Sequence, residues 1–454
     1  MTPLTWKKLS AAQRAAALRR PAQHAQPAVA AAVRTIVARV RREGDAALRM
    51  LTRKFDGVAV RSLRVSPAEF AAAGNALSSA DRAALRRAYR NLRAFHLAQQ
   101  PKPIRVEPMR GVVCEKVARP IGRVGLYVPG GSAPLFSTAL MLGVPSQIAG
   151  APVRVLCTPP GRDGRVSPWI LCAARLCGIT DVFKVGGAQA IAAMAYGTAT
   201  IPKCDKLFGP GNSFVTEAKQ QVARDADGAA IDLPAGPSEV LVVADGRSNP
   251  AFVAADLLSQ AEHGPDSQVI LVAFSAAFAQ RVHRELERQL VALPRAAIAR
   301  RALARSRILL ARDRAEAIAI ANAYAPEHLI LQVADPRAWL PGVTTAGSVF
   351  LGDLTPESLG DYASGTNHVL PTYGWARAYS GLGLADFQRA MTVQAADRGG
   401  LRRLGPVVER LALAEGLAAH QRAVRVRLEG STVGAGVSRD RASRSNRGVK
   451  PLLP

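Results

Sequence analysis

Cysteine and aromatic residues are scarce in this chain of 454 residues. Its five cysteines are too few and too odd in number for a disulfide framework, so we expect a reducing compartment and a cytoplasmic location. The sequence has no apolar run of about 18 residues or more, which predicts no transmembrane helix, and its N-terminus lacks the apolar core of a secretory signal. With 48% hydrophobic residues, the composition excludes a disordered chain and predicts a large core.

Acidic residues are few beside basic ones. The formal net charge is +26, and 50 of the 60 basic residues are arginine. Basic proteins often bind nucleic acids, but this excess is spread along the chain, and only 5% aromatic residues are available to stack on bases. The composition favours a generally basic soluble protein over a nucleic-acid-binding one.

Short apolar runs followed by helical patterns recur after about residue 110, which predicts βαβ units and parallel sheets. A first series of strands is predicted at 124–131, 153–160, 181–187 and 204–212. A second series is predicted at 238–245, 267–274, 307–311, 328–333 and 348–352. The sequence therefore predicts an α/β fold with two blocks in tandem.

The two ends of the chain have different patterns. Residues 1–100 are predicted to be helical, with Ser66 before Pro67 as a helix start. The stretch 383–430 is predicted to be helical and polar, ending in a strand-like run at 423–428. The last residues, 431–454, have few large apolar side chains and a basic excess, which predicts a disordered tail.

Glycine clusters follow several predicted strands, although the fingerprint G-x-G-x-x-G and the P-loop motif are both absent. The clusters are Gly130–Gly131, Gly186–Gly187 and Gly209–Asn212. Glycine at this position lets backbone N–H groups approach a phosphate, with help from the next helix. An ordinary βα turn also requires glycine, so the pattern alone leaves both interpretations open.

Two short pairs of polar residues are candidates for chemistry. Gln260 and His263 are three residues apart at a predicted helix end, where a metal could use both or the histidine could simply cap the helix. Glu327 and His328 are adjacent just before a predicted strand, and carboxylate and imidazole are the usual general bases near pH 7. The alternative is a solvated junction between loop and strand.

The segment 360–374 is rich in glycine, serine, threonine and asparagine and contains Asp361 and His368. A segment of this kind after a strand is a candidate functional loop. With Gln260 and His263, Asp361 would give an N/O ligand set compatible with zinc or manganese. The alternative is a long loop without a site.

Nine segments, in order, closely resemble the L-histidinol dehydrogenase family. They are LYVPGGSAPLFSTALMLGVPSQIAG, VGGAQAIAAMAYGT, KLFGPGNSFVTEAK, DLPAGPSEVLVVAD, DLLSQAEHGPDSQVIL, PEHLIL, GDYASGTNHVLPT, LGLADFQRAMTVQ and AEGLAAHQRAV. The resemblance runs from about residue 8 to 428. It implies a four-electron oxidation of L-histidinol to L-histidine through bound histidinaldehyde, with two NAD⁺ and one zinc ion per subunit. A sister dehydrogenase acting on another small alcohol is the alternative.

The resemblance also implies a set of site residues. The catalytic bases would be Glu327 and His328, and the metal ligands Gln260, His263, Asp361 and the partner's His420. Substrate-binding residues would be Ser238, Gln260, His263, His328, Asp361, His368, Glu415 and His420, and NAD-binding residues Tyr127, Gln189 and Asn212.

The family's architecture implies two incomplete Rossmann-like domains in an intertwined homodimer with shared active sites. A helical segment would cover residues 1–24. One Rossmann-like domain, residues 25–127 and 235–382, would carry the metal and the catalytic residues, and the other, residues 128–234, would bind NAD. Residues 383–430 would complete the partner's site, followed by the disordered tail.

Overall fold

The computed structural model describes residues 2–21, 27–130, 135–233 and 236–430. Two compact units are formed, one from the described residues of Met1–Gln100 and Pro120–Arg389, the other from those of Pro101–Arg119 and Ala390–Pro454. The predicted tail, 431–454, lies outside the described residues. Among the helices described, none is long and apolar enough to cross a membrane.

Strands and helices alternate along most of the chain, which confirms the predicted α/β class. The strands are β1 (Pro3–Thr5), β2 (Ile104–Met109), β3 (Val112–Pro120), β4 (Arg123–Tyr127), β5 (Val153–Thr158), β6 (Asp181–Lys184), β7 (Lys206–Phe208), β8 (Ala230–Ile231), β9 (Glu239–Ala244), β10 (Gln268–Ala273), β11 (Arg307–Leu310), β12 (His328–Gln332), β13 (Ser348–Leu351) and β14 (Gln388–Ala396). The helices are α1 (Ala11–Ala17), α2 (Pro27–Glu43), α3 (Asp45–Asp56), α4 (Pro67–Ala76), α5 (Ser79–Leu97), α6 (Phe136–Ala149), α7 (Pro168–Leu176), α8 (Gly187–Tyr196), α9 (Ser213–Arg224), α10 (Pro250–Ala261), α11 (Ala276–Leu290), α12 (Ala296–Ala304), α13 (Arg314–Tyr324), α14 (Pro336–Trp339), α15 (Glu357–Tyr362), α16 (Arg398–Ala414) and α17 (Ala418–Glu429).

Six parallel strands form the larger sheet of the first unit, in the order β1-β11-β10-β9-β12-β13. Every residue of β9, β10 and β12 is buried, because helices cover both faces of the sheet. Along β9, Val240 and Val242 join the cluster formed with α10, α11 and α12. Leu241 and Val243 join the opposite cluster, which includes α13. The continuous apolar runs in the sequence are therefore strands buried on two faces.

Five parallel strands form the second sheet, in the order β6-β5-β4-β7-β8. One face packs against α4, α5, α6 and α7, and the other against α2, α3, α8 and α9. The sequence predicts that residues 25–127 share a domain with residues 235–382. The structure instead places α2 to α5 and β4 with the five-stranded sheet, because apolar side chains such as Val33, Leu48 and Leu92 fill its two clusters.

The helical N-terminal region also differs in detail from the prediction. Pro3–Thr5 is the edge strand of the six-stranded sheet rather than helix. The predicted start at Ser66 is confirmed, since its side chain caps α4 in a reciprocal pair with Glu69. The helical pattern that follows is two helices, because Ser78 caps a second one, α5.

The second unit contains a three-stranded sheet in the order β14-β3-β2, with β2 and β3 antiparallel, and the helices α16 and α17. The prediction of a strand-like run at 423–428 is wrong, since these residues belong to α17. Val424 and Leu428, one helical turn apart, both pack over Gly405 of α16, and this contact needs helical spacing. Residues 388–396, predicted to be helical, form β14.

Candidate active site

Glu327 and His328 lie at the amino end of β12, beside the amino end of β9. Glu327 Oε2 accepts a hydrogen bond of 2.9 Å from the backbone N–H of Glu239. His328 Nδ1 lies 3.2 Å from the carbonyl oxygen of the same residue. Both side chains are buried, with 6% and 3% of their residue surfaces exposed. The two predicted bases are therefore held against a single peptide backbone by the pairing of two parallel strands.

The surroundings of His328 select one tautomer of its neutral imidazole. A carbonyl oxygen only accepts, so Nδ1 carries the hydrogen toward Glu239. The amide of Gln260 lies 3.2 Å from the same nitrogen. Turned so that its oxygen faces Nδ1, this amide donates to Glu357 Oε1 at 3.0 Å. Nε2 then keeps its lone pair, and within the described residues this buried atom has no hydrogen-bond partner, as a general base requires.

Asp361 is brought to this nitrogen by α15. Its Oδ1 lies 3.5 Å from His328 Nε2. Burial disfavours the charge of the Asp361 carboxylate, but His328, His368 and His263 outweigh that effect and lower its pKa. His368 also has a buried Nε2 without a hydrogen-bond partner in the described part of the chain. Asp361, from the segment predicted as a functional loop, therefore belongs to a short helix and lies beside His328.

Burial and neighbouring charges shift the pKa values of both predicted bases. Burial raises the pKa of Glu327 to about 8. Burial on its own would lower the pKa of His328, but the carboxylates of Glu327, Asp361 and Glu357 outweigh it and raise that pKa to about 10. A positive charge bound beside Asp361 would offset this carboxylate field and lower the His328 pKa toward the range of a useful base.

Gln260 and His263 lie at the end of α10, as the sequence predicted. Gln260 is fully buried, whereas His263 is exposed on this single chain. In the described ranges, no three His, Cys, Asp or Glu side chains form a group that could hold a metal. The predicted ligand set contains Gln260, which is not one of these four residue types, and His420 of a partner subunit. Only His263 and Asp361 of the set could therefore belong to such a group in this chain.

The remaining predicted substrate residues lie in different places. Ser238 immediately precedes β9 and is half-buried; its carbonyl oxygen accepts from the Gln268 N–H at 3.3 Å. Glu415 follows α16 and His420 lies in α17, both in the second unit and both exposed. Their place in a partner's site stays a prediction.

Two buried carboxylates of the site were missed from the sequence. Glu239 supplies the backbone that contacts both predicted bases. Glu357 accepts from Ser259 Oγ at 2.7 Å, and burial raises its pKa to about 8. A signal for Glu239 was available, because it opens the otherwise apolar run EVLVVA, and a charge in a buried strand needs a partner.

The predicted NAD-binding residues lie at the carboxyl edge of the five-stranded sheet. Tyr127 ends β4, and its hydroxyl accepts from the Gly187 N–H at 3.0 Å. Gln189 is buried in α8, and Asn212 caps α9 by accepting from the N–H groups of Phe214 and Val215. The chain order reverses between the adjacent strands β4 and β7, and such switch points are the usual nucleotide sites of open parallel sheets.

The loop after β7 is fixed by the buried ion pair of Lys219 and Asp232. Lys219 Nζ donates to the Gly209 carbonyl oxygen at 2.9 Å, and Asp232 Oδ2 accepts from the Gly209 N–H at 2.8 Å. Gly209 has a φ of 120°, and a Cβ there would lie 2.1 Å from the Tyr127 carbonyl oxygen. Glycine is therefore required at this close crossing of two loops. Of the other glycine clusters, Gly131 lies outside the described residues.

Comparisons with known proteins agree over nearly the whole chain. A family model described as histidinol dehydrogenase matches residues 18–428. Histidinol dehydrogenases of Xanthomonas campestris pv. campestris (strain 8004) and Vibrio cholerae serotype O1 are 59% and 57% identical, over 94% of this chain and 99% of each relative. A crystal structure of histidinol dehydrogenase from Elizabethkingia anophelis has a TM-score of 0.90 at 47% identity, covering 93% of this chain and 97% of that one. The matched range includes every predicted site residue.

Proposed function

This chain belongs to the histidinol dehydrogenase family, and we propose that it oxidises L-histidinol to L-histidine in histidine biosynthesis, with NAD⁺ as the oxidant. One observation carries the proposal: the buried Glu327–His328 pair, bound to the Glu239 backbone. Two successive oxidations at one carbon require the deprotonation of an alcohol, of a water molecule and of an aldehyde hydrate. Two adjacent bases of different strength suit that sequence of steps.

His328 takes the proton of the substrate hydroxyl through Nε2 in the first oxidation. NAD⁺ supplies the oxidising power by accepting one hydride in each of the two oxidations. Glu327 removes a proton from the water that adds to the bound aldehyde, and His328 then deprotonates the hydrate. One histidinol in its ammonium form, one water and two NAD⁺ give one histidine, two NADH and three protons, which the bases pass to solvent. Burial of both bases keeps the reactive aldehyde away from bulk water.

We propose that a zinc ion binds at this edge of the sheet. Gln260, His263 and Asp361 would hold it, together with the partner subunit's His420. Two observations support the fit: nearby histidines lower the pKa of Asp361 despite its burial, and the buried Nε2 of His368 lacks a hydrogen-bond partner among the described residues. Amide, imidazole and carboxylate are N/O donors suited to zinc or manganese. Zinc would supply a positive charge that orients the substrate's polar groups.

We also propose a homodimer with shared sites, because the zinc site includes His420 of the partner subunit. His420 and Glu415 both lie in the second unit. The second unit also exposes large apolar side chains along and after α16, which a partner would cover. These include Val407, Leu411, Leu413 and Leu417, with 49%, 62%, 54% and 41% of their surfaces exposed.

The shared site predicts complementation between inactive variants. We expect Gln260→Ala and His420→Ala each to be inactive as homodimers, because each removes a ligand from both sites. A heterodimer of the two keeps one intact site, so it should recover up to half of the wild-type activity. The measurement is NADH formation by differently tagged subunits purified through both tags. Heterodimers with no recovered activity would exclude the shared site.

The alternative substrate, another small alcohol, is tested by comparing kcat/KM for L-histidinol with that for amino alcohols that lack the imidazole ring. We expect a preference for L-histidinol of at least about 10³-fold, because buried polar groups are left unpaired when a hydrogen-bonding ring is missing. Equal rates would favour the sister dehydrogenase.

We also propose a cytoplasmic location, which the five free cysteines support.

A further inference from the structure

Arg20 forms a buried charge network at the amino edge of the six-stranded sheet. Its guanidinium donates to both carboxylate oxygens of Glu239, at 2.5 Å and 2.8 Å, and to the Tyr324 carbonyl oxygen at 2.7 Å. The group also stacks over the Tyr324 ring, 3.9 Å from its centroid. Arg20 is 5% exposed and Glu239 1% exposed. A two-oxygen contact of this kind fixes the carboxylate in orientation as well as in position.

Glu239 is the only residue that this network and the catalytic pair have in common among the described contacts. Its side chain accepts from Arg20, from the Tyr324 hydroxyl at 3.3 Å and from the Glu327 N–H at 3.3 Å. Its backbone N–H donates to the Glu327 carboxylate, and its carbonyl oxygen faces His328 Nδ1. A shift of Glu239 would therefore move both bases at once and disturb the tautomer of His328.

Removing the guanidinium would leave the Glu239 carboxylate buried without a counter-charge. An unpaired buried charge is costly, so the side chain would move toward water. This movement would break its hydrogen bonds with Tyr324 and Glu327. The backbone of β9 would then be free to move, and the geometry of the pair with it.

We propose that Arg20 is a positioning residue for the oxidation, acting through Glu239 to hold Glu327 and His328 in their reactive arrangement. The inference rests on the function proposed above. It assigns a role to a residue between α1 and α2 whose described hydrogen bonds, to Glu239, Tyr324 and Ala325, include no predicted substrate- or NAD-binding residue.

The test uses the full-length enzyme and four variants: Arg20→Ala, Arg20→Lys, Glu239→Gln and the control Arg154→Ala. Arg154 is a half-buried arginine that binds two carbonyl oxygens, those of Cys177 and Gly178, and it lies in the five-stranded sheet. For Arg20→Ala we expect kcat to fall about 100-fold, the usual cost of a displacement near 1 Å. The KM for NAD⁺ should not change.

Three readouts separate positioning from a structural role. Free guanidinium should restore kcat in Arg20→Ala and have no effect on Arg154→Ala. Arg20→Lys, which keeps the charge but cannot bind both oxygens, should remain folded with a kcat reduced about 10-fold. The double variant of Arg20→Ala and Glu239→Gln should be no slower than the slower single variant, because both act through one contact.

The outcomes are distinct. Folded Arg20→Lys with the wild-type kcat would overturn the proposal, and so would multiplicative losses in the double variant. A loss of kcat equal to that of Arg154→Ala, with no response to guanidinium, would also overturn it. A wild-type enzyme that forms no NADH from L-histidinol would instead refute the proposed function.

Discussion

His328→Asn is expected to lower kcat for L-histidinol by about 10²–10⁴-fold, the range attributed to one general base. Asparagine keeps a polar group near the Glu239 carbonyl oxygen but has no nitrogen that accepts a proton at the Nε2 position. Since the same base serves both oxidations, the variant should be equally slow when histidinaldehyde is supplied. The KM for NAD⁺ should stay the same, because the predicted nucleotide residues lie on the other sheet.

The measurement is steady-state NADH formation with the alcohol and with the aldehyde. His283→Asn is the matched control: His283 is half-buried on α11 and has no contact with the site residues among the described hydrogen bonds. Its kcat should equal that of the wild type. If kcat of His328→Asn fell by less than 10-fold, His328 could not be the base.

Asp361→Asn is expected to weaken zinc binding by more than about 100-fold, beyond the loss caused by changing an outer-shell partner. The amide cannot replace the negative charge of the carboxylate, which burial leaves in place because nearby histidines lower its pKa. Activity at saturating NAD⁺ should fall with zinc content, and added zinc should restore part of it. The folded state should persist, because the substitution replaces one oxygen by an amide nitrogen on a side chain that is only half-buried.

Zinc affinity would be measured by competition with a metal indicator in the purified protein, independently of turnover. Asp353→Asn changes an exposed carboxylate between β13 and α15 and should leave zinc affinity unchanged. Wild-type affinity in Asp361→Asn would show that the metal, if bound, uses other residues. A protein that gains no activity from zinc would contradict the proposed cofactor.

Much of the fold could be predicted from the sequence because parallel strands buried on two faces give continuous apolar runs. EVLVVA, QVILVA and HLILQ are all fully buried strands. The run at 423–428 was misassigned because a short segment of alternating apolar and basic residues fits either a strand or one face of a helix. Its packing against Gly405 decides for the helix, and that contact is not visible in local sequence.

The candidate site was predictable only in part. Glu327, His328 and Asp361 were selected because their side chains are reactive and their segments are unusual. Arg20 and Glu239 are 219 residues apart, and no local pattern reports that they meet. Helices α2 to α5 were assigned to the wrong sheet for a related reason, since periodicity shows which face of a helix is apolar but not which sheet it covers.

The measurement that most directly tests the central claim is the number of NADH molecules formed per L-histidinol consumed. It would be made on the full-length protein loaded with zinc, at limiting substrate, and repeated with a chelator. The account predicts two NADH per L-histidinol, with L-histidine as the product. A yield of one, with aldehyde released, would contradict the assignment of Glu327 to the second oxidation. A yield of zero from a folded, zinc-loaded enzyme would contradict the function itself.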